Sequence, residues 1–405
     1  MVLGAMKIGV VSIYWPPRFG GAEKYVHSMV KDLISNGVDA YGITATLASD
    51  TMDNGIDNIY RLGVETDCWD EMGCKTWFKE VITHVAENNY THIMINSPLT
   101  RVYYGYSEKL FGSLRNVCPN LKIGVVHHDL GIKTRLLLEQ QYKIYNDWEM
   151  SAKVVEGEQL KMFDNQSLYF TDKVAHWSFD SPLYFEPDFL IGNTKWSNRF
   201  IDPLHKIPKF NLHPPLERLD KPIKTDLKRV NITMINPLFH KGRSYMADFI
   251  NDYNHKWTFR VLLGSYGGDK EDFMRMIKDS WAVREGRVDI INYVEDIEDV
   301  YDATDVFIYP SRYEGYGMAA VEPMFRGVPV LVQDYPAIRE AVGDAAIIMP
   351  YEIDSREWID TVEELLLDVD YYEEYRNRGI AHKEFLCSRQ DEEVKELIKF
   401  LEGMI

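Results

Sequence analysis

Short runs of apolar residues recur along the chain, and they are too continuous for strands that expose one face to water. Such runs are typical of parallel strands buried on both faces of a sheet. Helical spacing of apolar residues follows the first run, from Tyr25 to Ile34, and Gly37 is a natural stop. The pattern predicts an α/β protein with doubly wound parallel sheets. The predicted strands are Lys7–Ile13, His92–Asn96, Ile123–Val126, Asp188–Asn193, Val230–Ile235, Phe259–Leu263, Asp289–Asn292, Asp305–Tyr309, Val328–Val332 and Ala346–Met349.

Prolines divide the chain near its middle. Pro203, Pro208, Pro214, Pro215 and Pro222 fall within twenty residues, a density that favours an irregular linker. A length of 405 residues suits two domains. We predict an N-terminal domain over 1–207, a C-terminal domain over 208–390 and a final amphipathic helix over 391–405.

Charge and cysteine content limit the classes of function. The formal net charge of −18 argues against a nucleic-acid partner, because phosphate backbones need a basic surface. It also limits membrane contact to a peripheral one. The four cysteines have no zinc-type spacing, and no apolar run approaches the length of a transmembrane helix. The apolar N-terminal stretch is strand-like and is not typical of a signal peptide. These features predict a cytoplasmic protein with reduced thiols.

The most informative stretch is DVFIYPSRYEGYGMAAVE, from Asp305 to Glu322. It combines a predicted strand, a loop with two glycines and a predicted helix from Met318 to Phe325. The N-terminus of a helix favours an anion, whereas the carboxylates of Glu314 and Glu322 accept hydrogen bonds from sugar hydroxyls. This combination suits a sugar nucleotide. On spacing alone, two solvated glutamates beside an ordinary βα turn remain an equal alternative.

The longer string YPSRYEGYGMAAVEPMFRGVPVLV, Tyr309–Val332, resembles the Glu-x7-Glu signature of retaining glycosyltransferases with the GT-B fold, in particular glycosyltransferase family 4. The resemblance implies two Rossmann-like domains that face a central cleft, with the terminal helix crossing back to the N-terminal domain. It implies that Glu322 binds the ribose hydroxyls of the donor. It also implies that Glu314 binds the transferred sugar, with the amides of Gly317 and Met318 nearby.

Two further loops are candidates for contact with the donor diphosphate. Gly20 and Gly21 precede the first predicted helix, where bare backbone allows close approach, although a tight turn alone would also need glycine. The string YWPPRFGGAEKYVHSMVKDLISNGVDAYGI resembles the N-terminal motif of the family, which assigns both glycines to the donor. Lys241 matches the family's phosphate lysine, with a solvated lysine as the alternative. The family's early arginine is replaced by the dipeptide Asn236-Pro237, and Arg243 is offset from that position.

Polar residues also follow two other predicted strands. His127 and His128 come directly after Ile123–Val126, at the end of a parallel strand where α/β sheets bind ligands. Histidine can hydrogen-bond a ligand and transfer protons near neutral pH, although a lone histidine is often structural. The family's His-Asp pair matches His128, which the resemblance implies positions the donor sugar and stabilises charge near the reacting carbon. The resemblance also assigns contact with the nucleotide base to Val294.

The segment Gly131–Phe185 fits the family poorly. It contains a predicted helix from Thr134 to Trp148 and then many aromatic residues, which could shape an acceptor pocket or pack a local core. The sequence does not name the acceptor, which could be a glycan, a lipid, a protein or a small molecule.

Together these features predict an enzyme that transfers a hexose from a UDP- or GDP-linked sugar to an acceptor hydroxyl, with retention implied by the resemblance. We expect no cofactor and no metal, because Lys241 and helix N-termini can stabilise the leaving diphosphate. Two alternatives remain open. One is a sugar-nucleotide epimerase or a phosphorylase on the same scaffold, and the other is a nucleotide-sugar-binding subunit without catalysis, which the missing arginine favours.

Overall fold

A computed structural model describes residues 6–13, 15, 21–45, 58–62, 71–96, 107–128, 187–201, 207–216, 230–238, 241–252, 257–263, 270–312, 314–351 and 353–405. The chain divides into two compact units. The first unit contains the described residues up to Pro215 together with Arg389–Ile405, and the second contains Leu216–Ser388. Each unit is built on one parallel sheet with helices, which confirms the predicted α/β class.

The sheet of the first unit has the strand order β3-β2-β1-β4-β5-β6-β7 among the described residues. The order reverses between β1 and β4, and such a switch point is where doubly wound sheets bind ligands. The strands are β1 Lys7–Val11, β2 Asp39–Ala45, β3 Ile59–Leu62, β4 His92–Asn96, β5 Lys122–His127, β6 Phe189–Gly192 and β7 Lys209–Asn211. The helices are α1 Gly21–Ser35, α2 Glu71–Glu87, α3 Ser107–Val117 and α4 Lys195–Ile201.

Apolar side chains fill both faces of this sheet. Ile8 and Val10 of β1 pack on one face with α1, whereas Val11 packs on the other with Trp77 of α2. This alternation follows from the two-residue period of a strand. The continuous apolar run of β1 is therefore explained by burial on both sides.

The sheet of the second unit has the order β10-β9-β8-β11-β12-β13 among the described residues. Its switch point lies between β8 and β11, which again places the ends of these two strands at the position favoured for ligands. The strands are β8 Asn231–Ile235, β9 Thr258–Leu262, β10 Val288–Ile291, β11 Val306–Tyr309, β12 Val330–Gln333 and β13 Ile347–Met349. The helices are α5 Arg243–Asn251, α6 Lys270–Ile277, α7 Trp281–Arg284, α8 Ile297–Asp302, α9 Met318–Phe325, α10 Pro336–Val342, α11 Ser355–Leu367 and α12 Val369–Glu402.

The first unit extends further than the predicted boundary at 207. Strand β7 pairs with β6 of the first sheet, and the division between the units falls after Pro215. Three residues are too few to show a strand pattern, so the surrounding prolines dominated the prediction. The edge position of β7 suits a neighbouring proline, because an edge strand leaves one row of N–H groups unpaired.

The predicted terminal helix over 391–405 is the end of a much longer one. Helix α12 has 34 residues, of which those from Arg389 onward belong to the first unit. There Val394, Leu397 and Leu401 join the same apolar cluster as α1. Among the described residues, no helix has the length and apolar character that a membrane span would need.

The loops after β8 and β11 approach each other closely. Gly242 has a φ of 78°, and a Cβ added there would lie 2.3 Å from the carbonyl oxygen of Pro310. A left-handed conformation alone costs a non-glycine residue about 1–2 kcal/mol. The contact with a backbone atom adds to this cost, because backbone cannot move aside as a side chain can.

We therefore expect Gly242→Ala to lower the free energy of unfolding by about 3 kcal/mol or more, measured by urea denaturation. Gly286→Ala is the matched control, since Gly286 has a φ of 68° but no atom within 4 Å of an added Cβ. It should lose only about 1–2 kcal/mol. An equal loss of unfolding free energy in the two variants would show that the loops after β8 and β11 can move apart without a cost in stability.

Candidate active site

The carboxylate of Glu314 lies buried in the loop between β11 and α9, with 9% of the residue exposed. Lys241, from the loop after β8, forms an ion pair with Oε1 of Glu314. The hydroxyl groups of Tyr309 and Ser311 donate to the same oxygen, the latter at 2.8 Å. Two of the predicted site residues are thus in direct contact, and two unpredicted ones complete the arrangement.

This environment keeps Glu314 ionised. Burial alone would raise the pKa of the carboxyl, but the Lys241 charge and the donated hydrogen bonds outweigh it, so the pKa of Glu314 is lowered. Burial and the Glu314 charge raise the pKa of Tyr309 well above its usual value. Because all three donors act on Oε1, the other oxygen has no donor among the described residues and can accept one from a ligand.

The loop after β8 carries Lys241, and it also contains Asn236 and leads to Arg243. Asn236 leaves the strand with a φ of 56°, while its N–H still donates to the carbonyl of Leu262 at 2.8 Å. Asn236 occupies the position where the resemblance places an arginine, and its buried Oδ1 has no hydrogen-bond partner among the described residues. Arg243 does not replace that arginine, because its guanidinium pairs with Asp272 at 3.4 Å. Lys241 is therefore the cation that contacts Glu314.

Helix α9 begins at the same loop. Gly317 is its N-cap with a φ of 98°, and no side chain caps the first N–H groups. The nearest atoms to an added Cβ are 3.6 Å away, so the backbone conformation rather than crowding requires glycine here. Gly317 and Met318 thus stand at an N-terminus of α9 whose first N–H groups are uncapped, and such a terminus can bind an anion. Pro323 removes one backbone donor in the second turn of α9, and the helix ends two residues later.

Glu322 lies on α9 and accepts a hydrogen bond from the hydroxyl of Tyr301 at 2.7 Å. Burial and Glu322 raise the pKa of Tyr301 well above its usual value, so this hydroxyl remains a donor. The charge of Glu322 also contributes to the raised pKa of Tyr309, which is bonded to Glu314. Two tyrosines of the second unit therefore orient the two predicted glutamates.

Sequence reasoning did not single out Tyr301, Tyr309 or Ser311. A weak signal was present, since Tyr309 brings a hydroxyl to the end of an otherwise apolar strand. Val294 lies in the loop after β10 and is half-buried. Its neighbour Tyr293 is 81% exposed.

In the first unit, His128 follows β5 directly. Its Nε2 lies 2.5 Å from Oδ1 of Asn96, and Nδ2 of Asn96 donates to Oγ of Ser12 at 2.9 Å. The ring packs edge-on against Tyr25, with centroids 4.7 Å apart. The amide of Asn193 donates to the backbone carbonyl of His128. The histidine is therefore held on its ring and on its backbone.

Burial and the adjacent His127 lower the pKa of His128 to about 3. A neutral imidazole cannot stabilise charge as a cation. Of the two roles that the resemblance implied for His128, positioning the donor sugar is compatible with this pKa, whereas stabilising charge as a cation is not. His127 is 1% exposed and its Nε2 lies 2.6 Å from Oδ1 of Asn198, so this side chain is buried in the first unit.

Of the remaining predicted residues of the first unit, Gly21 lies within the described part of the chain. Gly21 is the first residue of α1 and no atom lies within 4 Å of an added Cβ, so the backbone there is open. Gly20, Asp129 and the segment Gly131–Phe185, with its predicted helix, lie outside the described residues.

Comparison with known proteins adds a family context to this geometry. The family model Glycosyl transferases group 1 matches residues 247–382, which include Val294, Glu314 and Glu322 but not Lys241. O-antigen chain mannosyltransferase B of Escherichia coli is 34% identical over 103 residues, or 25% of this chain and 27% of that protein. The match thus spans about a quarter of that relative. An uncharacterised glycosyltransferase of Methanocaldococcus jannaschii is 22% identical over 373 residues, 83% of each chain.

Solved structures share the fold over nearly the whole length. Sucrose-phosphate synthase from Thermosynechococcus elongatus matches with a TM-score of 0.67 at 15% identity, covering 99% of this chain and 100% of that one. Anabaena HepE, solved in complex with UDP and glucose, matches with a TM-score of 0.64 at 14% identity, covering 97% and 98%. The fold is the GT-B fold of two Rossmann-like domains, and residues 247–382 match the glycosyl transferases group 1 family model.

The Tyr309 hydroxyl provides a test of the Glu314 environment. Tyr309→Phe removes one donor to a buried charged acceptor and should destabilise the protein by about 2 kcal/mol at pH 7. The pKa of Glu314 in the folded protein is below its ordinary value of 4.5, so the stability due to its ionised form is present above that value and is lost as the pH falls through the folded-state pKa. The difference between Tyr309→Phe and wild type should therefore shrink as the solution is acidified.

Urea denaturation at a series of pH values measures this effect. Tyr245→Phe is the control, because the hydroxyl of Tyr245 donates to the neutral backbone carbonyl of Ile353 at 2.8 Å. Its cost should not follow the titration of Glu314. A cost for Tyr309→Phe that is constant with pH would contradict the charged acceptor.

Proposed function

We propose that this protein is a retaining glycosyltransferase of family 4 that uses a UDP- or GDP-linked hexose. The observation that carries the proposal is the contact of Lys241 with Glu314 beside the uncapped N-terminus of α9. One small region thus offers a cation and free amides for phosphate, together with carboxylates for hydroxyl groups. The match of residues 247–382 to the glycosyl transferases group 1 family model supports the proposal.

Lys241 is proposed to bind the donor diphosphate without releasing Glu314. An ammonium group has three protons, so it can donate to a carboxylate and to a phosphate oxygen at the same time. The amides of Gly317 and Met318 and the partial positive charge of α9 add to this stabilisation as the diphosphate leaves. On this basis we propose that no metal is needed, and full activity with EDTA present would support that.

The two glutamates are proposed to bind hydroxyl groups of different parts of the donor. The free oxygen of Glu314 accepts from the transferred sugar, and Glu322 accepts from the ribose. Ribose is common to UDP and GDP, so neither glutamate selects the base, and Val294 is proposed to lie against the base. A solved neighbour is described in complex with UDP and glucose, which supports testing UDP-sugars first.

The proposed acceptor is a hydroxyl group of a glycan, lipid, protein or small molecule, and the proposed location is the cytoplasm. The same donor site would also serve a subunit that binds a sugar nucleotide but does not transfer it. Asn236 in place of an arginine favours this second candidate, because it leaves fewer cations to stabilise the leaving group.

The first experiment is thermal unfolding with UDP, GDP, ADP and TDP. A nucleotide at 100 times its dissociation constant should add about 2.7 kcal/mol of stability. The second experiment follows release of the nucleoside diphosphate from its sugar conjugate, with a panel of hydroxyl acceptors. Acceptor-dependent release supports the transferase. Release without an acceptor would favour a hydrolytic reaction, conversion of the sugar nucleotide without release would favour an epimerase, and binding with neither would favour the inert subunit.

Lys241→Met should weaken nucleoside diphosphate binding about tenfold or more, because it removes a point charge from the phosphate site. It also leaves Glu314 buried without its ion pair, which should destabilise the fold by about 3–5 kcal/mol. The double variant Lys241→Met with Glu314→Gln removes this unpaired charge. It should recover stability but not affinity, as measured by calorimetric titration.

Lys278→Met is the control for the loss of one positive charge, since Lys278 is 68% exposed. It should bind the nucleoside diphosphate like wild type. Recovery of affinity in the double variant would argue that Lys241 acts only on the fold.

Glu322→Ala should mainly weaken donor binding, by about tenfold or more, because a charged acceptor of ribose hydroxyls is lost. The turnover number should change less, since the ribose lies away from the bond that breaks. Glu357→Ala, an exposed glutamate on α11, serves as the charge control. Wild-type donor affinity in Glu322→Ala would refute the role of this residue.

A further inference from the structure

Three neighbouring strands of the first unit bring polar side chains together at their carboxyl ends. Ser12 follows β1, Asn96 ends β4, and His128 follows β5, and these strands are adjacent in the sheet. The three side chains form a hydrogen-bonded row from Ser12 through Asn96 to His128. Asn96 is 3% exposed and was not singled out from the sequence.

The row has a direction, because a carboxamide donates at one end and accepts at the other. Nδ2 of Asn96 lies 2.9 Å from Oγ of Ser12, which places Oδ1 against the histidine. The contact of 2.5 Å between Oδ1 and Nε2 is short for an N–H···O hydrogen bond and too short for two nitrogens. An oxygen that only accepts requires the proton of the imidazole to be on Nε2.

The surroundings of His128 favour a ring without positive charge. The ring packs against Tyr25 and contacts the neutral amide of Asn96, and no described carboxylate contacts it. Among the described residues a buried imidazolium would thus lack a counter-charge, and burial and the neighbouring His127 lower the pKa of His128. With the proton on Nε2, Nδ1 carries a lone pair, and it has no hydrogen-bond partner among the described residues.

We infer that Asn96, held by Ser12, fixes His128 as the neutral tautomer protonated on Nε2, so that Nδ1 accepts a hydrogen bond from a substrate hydroxyl. Asn96 is a positioning residue, since it acts through His128. The tautomer follows from contacts within the first unit, and only the identity of the hydroxyl as part of a sugar or acceptor rests on the proposed function. Such a site should discriminate against substrates that lack this hydroxyl, because the buried acceptor would stay unpaired.

The neighbouring pair of His127 and Asn198 provides an internal comparison. Nε2 of His127 lies 2.6 Å from Oδ1 of Asn198, whose Nδ2 donates to the carbonyl of Phe210 at 2.8 Å. The chemistry resembles that of His128 and Asn96, but His127 is 1% exposed and cannot reach a ligand. Substitutions at Asn198 therefore control for general effects on a histidine–asparagine pair.

The direct test is nuclear magnetic resonance of the full-length protein labelled with 15N-histidine, which distinguishes protonated from unprotonated ring nitrogens. The chain has 11 histidines, so the spectrum of His128→Gln assigns the signals of His128. At pH 7 we expect Nε2 protonated and Nδ1 unprotonated, with no titration down to pH 5. A proton on Nδ1, or an imidazolium at pH 7, would overturn the inference.

Two substitutions of Asn96 distinguish its effect on the tautomer of His128 from its effect on the charge of that ring. Asn96→Leu has a similar size but no acceptor, and it should give a mixture of tautomers. Asn96→Asp keeps an acceptor on Nε2–H but adds a carboxylate, which should preserve the tautomer and raise the pKa of His128. Asn198→Asp should change only the signals of His127. A single Nε2 tautomer in Asn96→Leu would show that Asn96 does not fix the tautomer of His128.

Enzyme activity provides a second test of the roles of Asn96 and His128, once a donor and an acceptor are known. Asn96→Leu should reduce kcat about tenfold, the size of one lost hydrogen bond, and Asn96→Asp should recover most of this loss at high pH. In Asn96→Asp, activity should fall as the pH drops through the raised pKa of His128, because an imidazolium cannot accept at Nδ1. A wild-type pH profile despite that raised pKa would contradict the acceptor role. If no sugar nucleotide is turned over, the proposed function fails, while the resonance data still decide the tautomer.

Discussion

The second unit depends on a buried charge that must be balanced. Removing a carboxylate from water costs several kcal/mol, and Glu314 stays ionised only because three donors converge on one of its oxygens. Two of them come from its own strand and loop, and the third comes from Lys241 after β8. The balance is met only when the ends of β8 and β11 come together, and Gly242 permits this by packing its backbone against Pro310.

The two units present different chemistry at the ends of their strands. In the second unit, full charges and helix amides dominate, which suits an anionic ligand. In the first unit, His128 is surrounded by neutral groups and is oriented by an amide, which suits uncharged hydroxyls. The first environment keeps the imidazole neutral because no counter-ion stands beside it among the described residues.

Much of the fold could be predicted from the sequence because buried parallel strands leave continuous apolar runs. The apolar runs of β4 and β8 predict these strands in this way. The helix over Met318–Phe325 is predicted from its position after a strand and a glycine-containing loop. Strand β7 was missed because three residues form no pattern. The length of α12 was missed because its first half is highly charged and contains Gly379, a residue unfavourable inside a helix. Gly379 is explained only by packing, since an added Cβ would lie 3.0 Å from the carbonyl oxygen of Met324.

The candidate site was less predictable, because its chemistry lies in contacts between distant segments. The sequence identified Lys241 and Glu314 separately, but it could not indicate that 73 positions apart they form an ion pair. Nor could it reveal which side chains orient the ligand-facing groups. Tyr309 is an ordinary residue at the end of an apolar strand until the loop after β11 turns Glu314 towards it. Asn96 is likewise ordinary until the sheet order places it beside His128.

The arginine position shows how the structure changes the interpretation of a departure from a motif. With Asn236 there, the charge of Lys241 is balanced by that of Glu314 within their ion pair. The N-terminus of α9 adds a partial positive charge equivalent to about half an elementary charge. Under the proposed function, the donor is therefore held more by directed amides and by the shared protons of Lys241 than by net charge. Such binding depends on the local backbone, which the left-handed conformations of Gly242 and Gly317 shape.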